Sequence, residues 1–269
     1  MVLMETLSTF LPASSRIRAA RAFFFAAALV LAAPLSGLAG EADTLVGRGD
    51  ALDLRNKNRE ALDLYLQADG LRPDDAEILR RIAKQYAQLM VEAPSRAEQV
   101  SLAKKALEAA ERAAALDPEN AKARLSLAIV LGRAAQLEPP KEKVAMSMRI
   151  RDEAAAAVRL DPRDDLAWHV LGRWNYELAN FNPLLKSIAQ VIYGRFPDAS
   201  NERAAEYFRK AIAVGPPRAV NHIELGRTLA AMGDKDGARR EIEKGLSIPD
   251  SDKDDPETKR RGRKTLETL

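Results

Sequence analysis

The sequence predicts an all-α solenoid of about five helical hairpins with one inserted helix and a C-terminal capping helix. Three observations support this fold class. Aromatic residues make up only 5% of the chain and helix-forming residues dominate it. Apolar residues recur at helical spacing in paired segments. Prolines close successive pairs at intervals of 45, 44 and 54 residues, at Pro73, Pro118, Pro162 and Pro216. Because one hairpin cannot bury its own apolar face, neighbouring hairpins must stack.

The clearest hairpin runs from Trp168 to Pro216. It follows the tetratricopeptide repeat (TPR) pattern, W-x2-L-G, then A-x3-F, then P, with an insertion between its helices. The matching residues are Trp168, Leu171, Gly172, Ala204, Phe208, Ala211 and Pro216. Gly172 provides room where the second helix crosses closely, and Trp168 is expected at a core position. Pro216 ends the second helix because it lacks an N–H and clashes with the preceding turn.

The other four hairpins fit the same pattern. The second is expected to have a first helix that runs to about Met90, with a break at residues 93–95. The third contains Pro139-Pro140 between its helices, and the fifth has a tight turn at residues 232–234. The insertion in the fourth hairpin predicts a helix from Pro183 to about Tyr193 that is apolar on much of its circumference. Such a helix is buried or covers another surface.

Residues 250–269 predict a capping helix. Asp255 is a good N-cap and Pro256 a good first residue, and Leu266 and Leu269 provide an apolar contact. Its cations are interpreted as the solvated face of a terminal helix, with phosphate or membrane binding as the alternative: Lys259, Arg260, Arg261, Arg263 and Lys264.

Residues 1–39 resemble an export signal that is removed. Arginines precede an apolar run at residues 22–33, and the small residues Gly37 and Ala39 occupy the positions that a signal peptidase reads. The run is short for a membrane span, although an uncleaved inner-membrane anchor facing the periplasm is the alternative. Export without cysteine fits the periplasm of a bacterium. Residues 40–249 form the repeat domain.

Charge and composition exclude several classes of protein. Cleavage would lower the formal net charge from +3 to +1, because it removes three arginines and one glutamate, so the basic balance does not indicate nucleic-acid binding. The chain has no Cys and two His, which leaves little for a metal site. No Walker loop, G-x-S-x-G or H-E-x-x-H motif is present. We expect no enzymatic activity, no cofactor and no metal.

Several segments are more specific than a generic TPR helix. They are residues 171–179, 183–189, 193–200 and 205–211, with further matches at 225–229 and 254–259. Together they resemble the regulator of microtubule dynamics family, over about residues 45–269. The chain departs from that family at Asn175, where Cys is common. The resemblance implies an all-helical adaptor. Animal members act at microtubules or tether organelle membranes, and one branch binds and transfers phospholipids.

In a TPR solenoid the first helix of each hairpin lines a concave groove. Two groove positions lie four residues apart on each first helix and therefore share one face. They give a mixture of cations and aliphatic residues, with one acid in the first repeat. After Val46 and Asp50 the candidates are Arg80, Lys84, Leu125, Ile129, Arg133, His169, Arg173, Ile223 and Arg227.

This mixed surface suits an acidic peptide, a C-terminal carboxylate or an anionic phospholipid. The leading hypothesis is an exported, non-catalytic adaptor that binds a protein or peptide. A carrier of a phospholipid or other amphiphile is the alternative, with the inserted helix walling a pocket beside Leu125, Ile129 and Ile223; a subunit of an enzyme is a third. Equally, the cations could pair with carboxylates of neighbouring helices.

Two further side chains in the fourth hairpin have structural interpretations. Trp174 is predicted to pack against the inserted helix rather than to form a ligand platform. His169 flanks the groove and is predicted to be a hydrogen-bonded structural residue rather than a ligand.

Overall fold

The computed structural model describes residues 40–181, 186–187, 190–191 and 198–269. These residues form eleven α-helices and no strand. The predicted signal, residues 1–39, and most of the predicted inserted helix lie outside the described residues, although residues 186–187 and 190–191 are helical. The helices are α1 (40–53), α2 (Asn58–Leu71), α3 (Ala76–Glu92), α4 (Arg96–Leu116), α5 (Ala121–Ala134), α6 (Pro140–Leu160), α7 (Asp165–Ala179), α8 (Asn201–Val214), α9 (Ala219–Ala231), α10 (Lys235–Ser247) and α11 (Asp255–Leu266).

The helices pair as five hairpins, α1–α2, α3–α4, α5–α6, α7–α8 and α9–α10, and α11 caps the array. Each second helix also packs on the next first helix, and first helices lie beside one another. This is the predicted all-α, TPR-like solenoid. The core runs along the array rather than forming one centre, because each hairpin buries its apolar face against its neighbours.

Helix crossings within the hairpins match a small residue to a large one. A Cβ atom built on Gly172 would lie 2.7 Å from Cε1 of Phe208, so the aromatic ring occupies the space of the absent side chain. The same relation holds in two other hairpins, between Gly49 and Tyr65 and between Gly226 and Ile242. Hairpins two and three carry alanine on both helices instead: Ala83 with Ala110, and Ala128 with Ala154. The sequence-predicted close approach at Gly172 is confirmed.

Three of the four corners between hairpins share one capping device. Each of the first three corner prolines is followed two residues later by an N-cap whose side chain accepts N–H bonds from the first turn of the next helix. These N-caps are Asp75, Asn120 and Asp164. In the fifth hairpin Gly233 has φ +86, which confirms the predicted tight turn.

Two local predictions need correction. Trp168 is only partly buried; its ring packs on Tyr207 with centroids 5.6 Å apart, and its indole donates to the Pro162 carbonyl at 2.9 Å. The N-cap of α11 is Asp254, not Asp255. The Asp255 carboxylate instead accepts from the N–H groups of Ser251 and Asp252 and so shapes the preceding turn.

Trp174 is buried, as core packing requires, and its described contacts are with α6. Its indole nitrogen donates to the carbonyl and hydroxyl oxygens of Ser147 at 2.7 and 3.0 Å. The predicted contact with the inserted helix falls on residues outside the described part of the chain. None of the helices in that described part is both long enough and apolar enough to cross a bilayer.

Candidate functional site: the groove

The groove is the surface formed by the first helices α3, α5, α7 and α9. Each of them contacts the next, and α11 packs against α9 as a further member of the row. Side chains at equivalent positions of successive hairpins therefore lie close together. All candidate residues fall on this row of helices, but they differ in exposure and in the partners that they bind.

The second hairpin contributes two paired cations. Nη2 of Arg80 lies 2.9 Å from Oε2 of Glu77 on the same helix. Nζ of Lys84 lies 2.6 Å from Oδ2 of Asp53 at the end of α1, and 47% of the Lys84 side chain is exposed. Lys84 is therefore accessible from solvent, whereas the Arg80 side chain is only 21% exposed.

The aliphatic candidates do not form an exposed groove wall. Leu125 is 6% exposed and packs in a cluster with Ala157 and Ala167, against which Ile129 is partly buried. Ile223 has no exposed surface, and it lies against Gly262 of α11. The expectation that Leu125 and Ile223 face a ligand is corrected, because the adjoining hairpin and the capping helix bury them.

Arg133, near the end of α5, connects distant parts of the chain. Its Nη1 donates to the Ala87 carbonyl and to Oε1 of Gln88, at 3.2 and 3.0 Å, on α3. Its Nη2 lies 3.3 Å from Oδ2 of Asp254, just before α11. One guanidinium thus joins the second and third hairpins to the C-terminal segment.

A buried carboxylate is the centre of the charged cluster between α7, α9 and α11. Glu224 has no exposed surface, and its oxygens lie 2.7 Å from Arg227, 3.2 Å from Arg261 and 3.9 Å from Arg173. Burial alone would raise the pKa of Glu224, but the three arginines hold that pKa below its usual value. Glu224 therefore stays ionised beside guanidinium groups from three helices, of which that of Arg227 donates a hydrogen bond to it.

The outer members of this cluster remain partly open to solvent. The Arg173 side chain is 33% exposed, and its Nη2 donates to Oε1 of Glu177 at 3.1 Å. Arg227 lies over the ring of Tyr176, 5.2 Å from its centroid. Arg173 has the largest exposed fraction of the three arginines, 33% against 29% for Arg261 and 19% for Arg227.

His169 is held between α7 and α9. Its Nδ1 is 2.8 Å from Oδ1 of Asn221, and its ring centroid is 5.5 Å from that of Phe208. Burial, with the nearby Arg173, lowers the pKa of His169 to about 4. The ring is therefore neutral near pH 7 and acts as a structural hydrogen-bonding group.

The residue types alone did not reveal two members of the site, Glu224 and Arg261. Glu224 lies three residues before Arg227, a spacing that signals a pair on one helix face. Nothing local indicates that Glu224 is fully buried, and Arg261 was interpreted as part of a solvated face. Both roles depend on α11 packing over α9.

Among the described residues, no group of three or more His, Cys, Asp or Glu side chains is placed to hold a metal ion. The fold and this surface define a TPR-like helical repeat protein whose first helices present charged side chains in a row. Residues 41–269 match the family model described as regulator of microtubule dynamics protein 1-3. The chain belongs to that family.

Curated relatives agree with this assignment. Regulator of microtubule dynamics protein 3 of Xenopus laevis is 29% identical over 160 residues, which is 60% of this chain and 35% of the relative. Protein 1 of Bos taurus is 29% identical over 178 residues, covering 65% of this chain and 56% of the relative. The matches thus span a third to just over half of these relatives' lengths.

Solved structures show the same fold. A thermophilic TPR protein in Thermus thermophilus has a TM-score of 0.60 at 17% identity, covering 84% of this chain and 98% of that one. Pseudomonas aeruginosa pilF has a TM-score of 0.54 at 15% identity, covering 86% and 90%. At this identity the likeness establishes a TPR fold.

Proposed function

We propose that the protein is a non-catalytic adaptor that binds an acidic peptide segment of a partner protein in its groove. The observation that carries this proposal is Arg173. It is a partly exposed guanidinium on a first helix, 3.9 Å from the buried Glu224, and among the described residues its side-chain hydrogen bond is to Glu177 of its own helix.

The ion pair between Arg173 and Glu177 is weak enough for an external carboxylate to replace Glu177. Arg173 and Glu177 form an i,i+4 pair whose side chains are 33% and 49% exposed, and such pairs contribute about 0.3–0.5 kcal/mol. A hydrogen bond to a charged group in a less exposed setting contributes about 1.5–3 kcal/mol. A peptide carboxylate that reaches Arg173 therefore displaces Glu177 at little cost. The internal ion pairs of the free protein are compatible with ligand binding.

The test uses a fluorescein-labelled Glu-rich peptide and a matched peptide with Gln at every Glu. Fluorescence anisotropy measures the affinity of both for the wild type, for Arg173→Gln, and for a control, Arg149→Gln. Arg149 lies on the second helix α6 and pairs with Glu111 in a similarly exposed geometry. We expect Arg173→Gln to weaken binding of the Glu-rich peptide about tenfold, with no change for Arg149→Gln. Equal affinity for the Gln peptide, or equal losses in both variants, would contradict the proposal.

The phospholipid alternative has less support. It requires apolar residues at the groove, and Leu125 and Ile223 are buried in the core. Mass spectrometry of an organic extract of gently purified protein separates the two functions. A phospholipid in stoichiometric amount would favour the carrier, whereas a clean extract supports the adaptor.

Export to the periplasm is part of the proposal and rests on the sequence pattern of residues 16–39. N-terminal sequencing of the protein from a secreting host tests it. A mature chain that begins at Gly40 is expected, and an intact residue 1–39 segment in the cell would favour the anchored alternative.

A further inference from the structure

Arg133 differs from the other groove cations in where its carboxylate partner lies in the sequence. Arg80, Arg173 and Arg227 each pair with a glutamate of their own helix, and Lys84 pairs with the preceding first helix. Arg133 pairs with Asp254, 121 residues away, and its remaining described partners, a backbone carbonyl and Gln88, are neutral. Without Asp254 this guanidinium would have no described carboxylate beside it.

A second long-range pair lies next to the first. Nζ of Lys253 is 3.1 Å from Oε1 of Glu92, at the end of α3, across 161 residues of sequence. The same Oε1 of Glu92 also accepts a hydrogen bond from the side-chain amide of Asn58, at 2.8 Å. The segment therefore pairs Lys253 with Glu92 and Asp254 with Arg133, so that each pair joins opposite charges.

The turn that carries Lys253 and Asp254 is held by hydrogen bonds between its own residues. The buried Asp255 carboxylate accepts from the backbone N–H groups of Ser251 and Asp252, and the Asp252 carboxylate accepts from the N–H of Asp254. The helix that follows this turn, α11, is anchored to α9, because Nη2 of Arg261 lies 3.2 Å from Oε1 of Glu224. The turn thus projects Lys253 and Asp254 away from its own hydrogen bonds and toward α3 and α5.

We propose that residues 250–255 are a built-in competitor that covers a binding site for a peptide segment with a Lys followed by an acidic residue. The site consists of Glu92, Gln88 and Arg133. This inference rests on the proposed function and extends it, since it assigns a second subsite and a means of regulating it. The covering pairs are exposed, with 58% of the Asp254 and 50% of the Glu92 side chain open to solvent. Such pairs are individually weak, so a partner exchanges with them reversibly.

The experiment uses the full chain and a fluorescein-labelled peptide with the sequence of residues 250–257, Asp-Ser-Asp-Lys-Asp-Asp-Pro-Glu. It compares the wild type with a variant that carries Lys253→Gln and Asp254→Asn. The control carries Glu257→Gln and Arg260→Gln, which remove one anion and one cation from an exposed pair on α11. We expect the first variant to bind the peptide about threefold to thirtyfold more tightly than the wild type, because its competitor is weakened. The control should match the wild type.

A third variant identifies the site. Adding Arg133→Gln to the first variant should remove the gain in affinity. Hydrogen–deuterium exchange of residues 250–255 provides a readout without ligand and should become faster in the first variant but not in the control. Equal peptide affinity in the wild type and the first variant, or a gain that survives Arg133→Gln, would overturn the inference.

The same measurements separate this inference from the proposed function. If the Glu-rich peptide binds in an Arg173-dependent way while the 250–257 peptide shows no gain, the competitor is disproved and the adaptor stands. If neither peptide binds any variant, both proposals fail.

Discussion

Replacing Gly172 by Ala tests the helix crossing on which the fourth hairpin depends. A Cβ atom at this position would lie 2.7, 2.8 and 3.0 Å from three atoms of the Phe208 ring. That ring has no exposed surface and is enclosed by α7, α8 and α9. The new methyl group therefore requires the helices to separate or the ring to leave its preferred position.

Two effects of opposite sign determine how Gly172→Ala changes the free energy of unfolding. Ala is favoured over Gly inside a helix by about 0.8–1 kcal/mol. Overpacking a well-packed core costs about 1–3 kcal/mol. Gly132 separates these terms, since it also lies inside a first helix and its Cβ would meet only one atom, Cδ1 of Ile150, at 3.9 Å. Gly132→Ala should therefore be stabilised by the higher helix propensity of Ala, with no overpacking cost.

The assay is urea unfolding of both variants and the wild type, followed by circular dichroism. We expect Gly132→Ala to stabilise the protein by about 0.5–1 kcal/mol. The Gly172→Ala variant should be less stable than Gly132→Ala by about 1–3 kcal/mol, the overpacking term. Equal unfolding free energies for the two variants would refute the close crossing of α7 and α8.

Three further predictions concern polar groups. Asp164→Ala removes the cap of α7 and should cost about 1 kcal/mol of unfolding free energy, while Lys57→Ala should be neutral, because Lys57 at the start of α2 makes no capping bond. Glu224→Gln leaves three guanidinium groups without their shared carboxylate and should cost about 3 kcal/mol in urea unfolding; a change as small as that of the exposed Glu257→Gln would disprove a central role. For His169 the folded pKa of about 4 lies below the ordinary 6.5, so the unfolded chain binds the proton first as pH falls, and stability declines from pH 6.5 to 4. Between pH 7 and 5 the wild type should lose about 1–2 kcal/mol more than His169→Gln, and identical losses would count against a partly buried ring that stays neutral in the folded protein.

The sequence predicts the fold well because its signals are local and repeated. Proline at each corner and Gly172 opposite Phe208 report contacts within one hairpin, where sequence spacing determines geometry. Trp168 shows the limit of the pattern. It matches the repeat signature, yet it packs at the edge of α8 and uses its N–H on the Pro162 carbonyl.

The candidate site is predicted less completely, because its properties depend on contacts between distant hairpins. Helical spacing correctly places Arg133 and Arg173 on first helices. Spacing does not indicate that α11 buries Ile223, or that Asp254 returns to Arg133. Those facts follow from the path of the last twenty residues across the array, which no local periodicity encodes.

Nuclear magnetic resonance tests the binding of an acidic peptide in the groove most directly. Backbone amide signals of the isotopically labelled full chain are recorded with and without the Glu-rich peptide. Shifts concentrated on α7 and on the neighbouring helices α9 and α11, and absent in Arg173→Gln, are predicted. Shifts confined to the second helices α4, α6 and α8, or no shifts at saturating peptide, would contradict a binding site on the first helices.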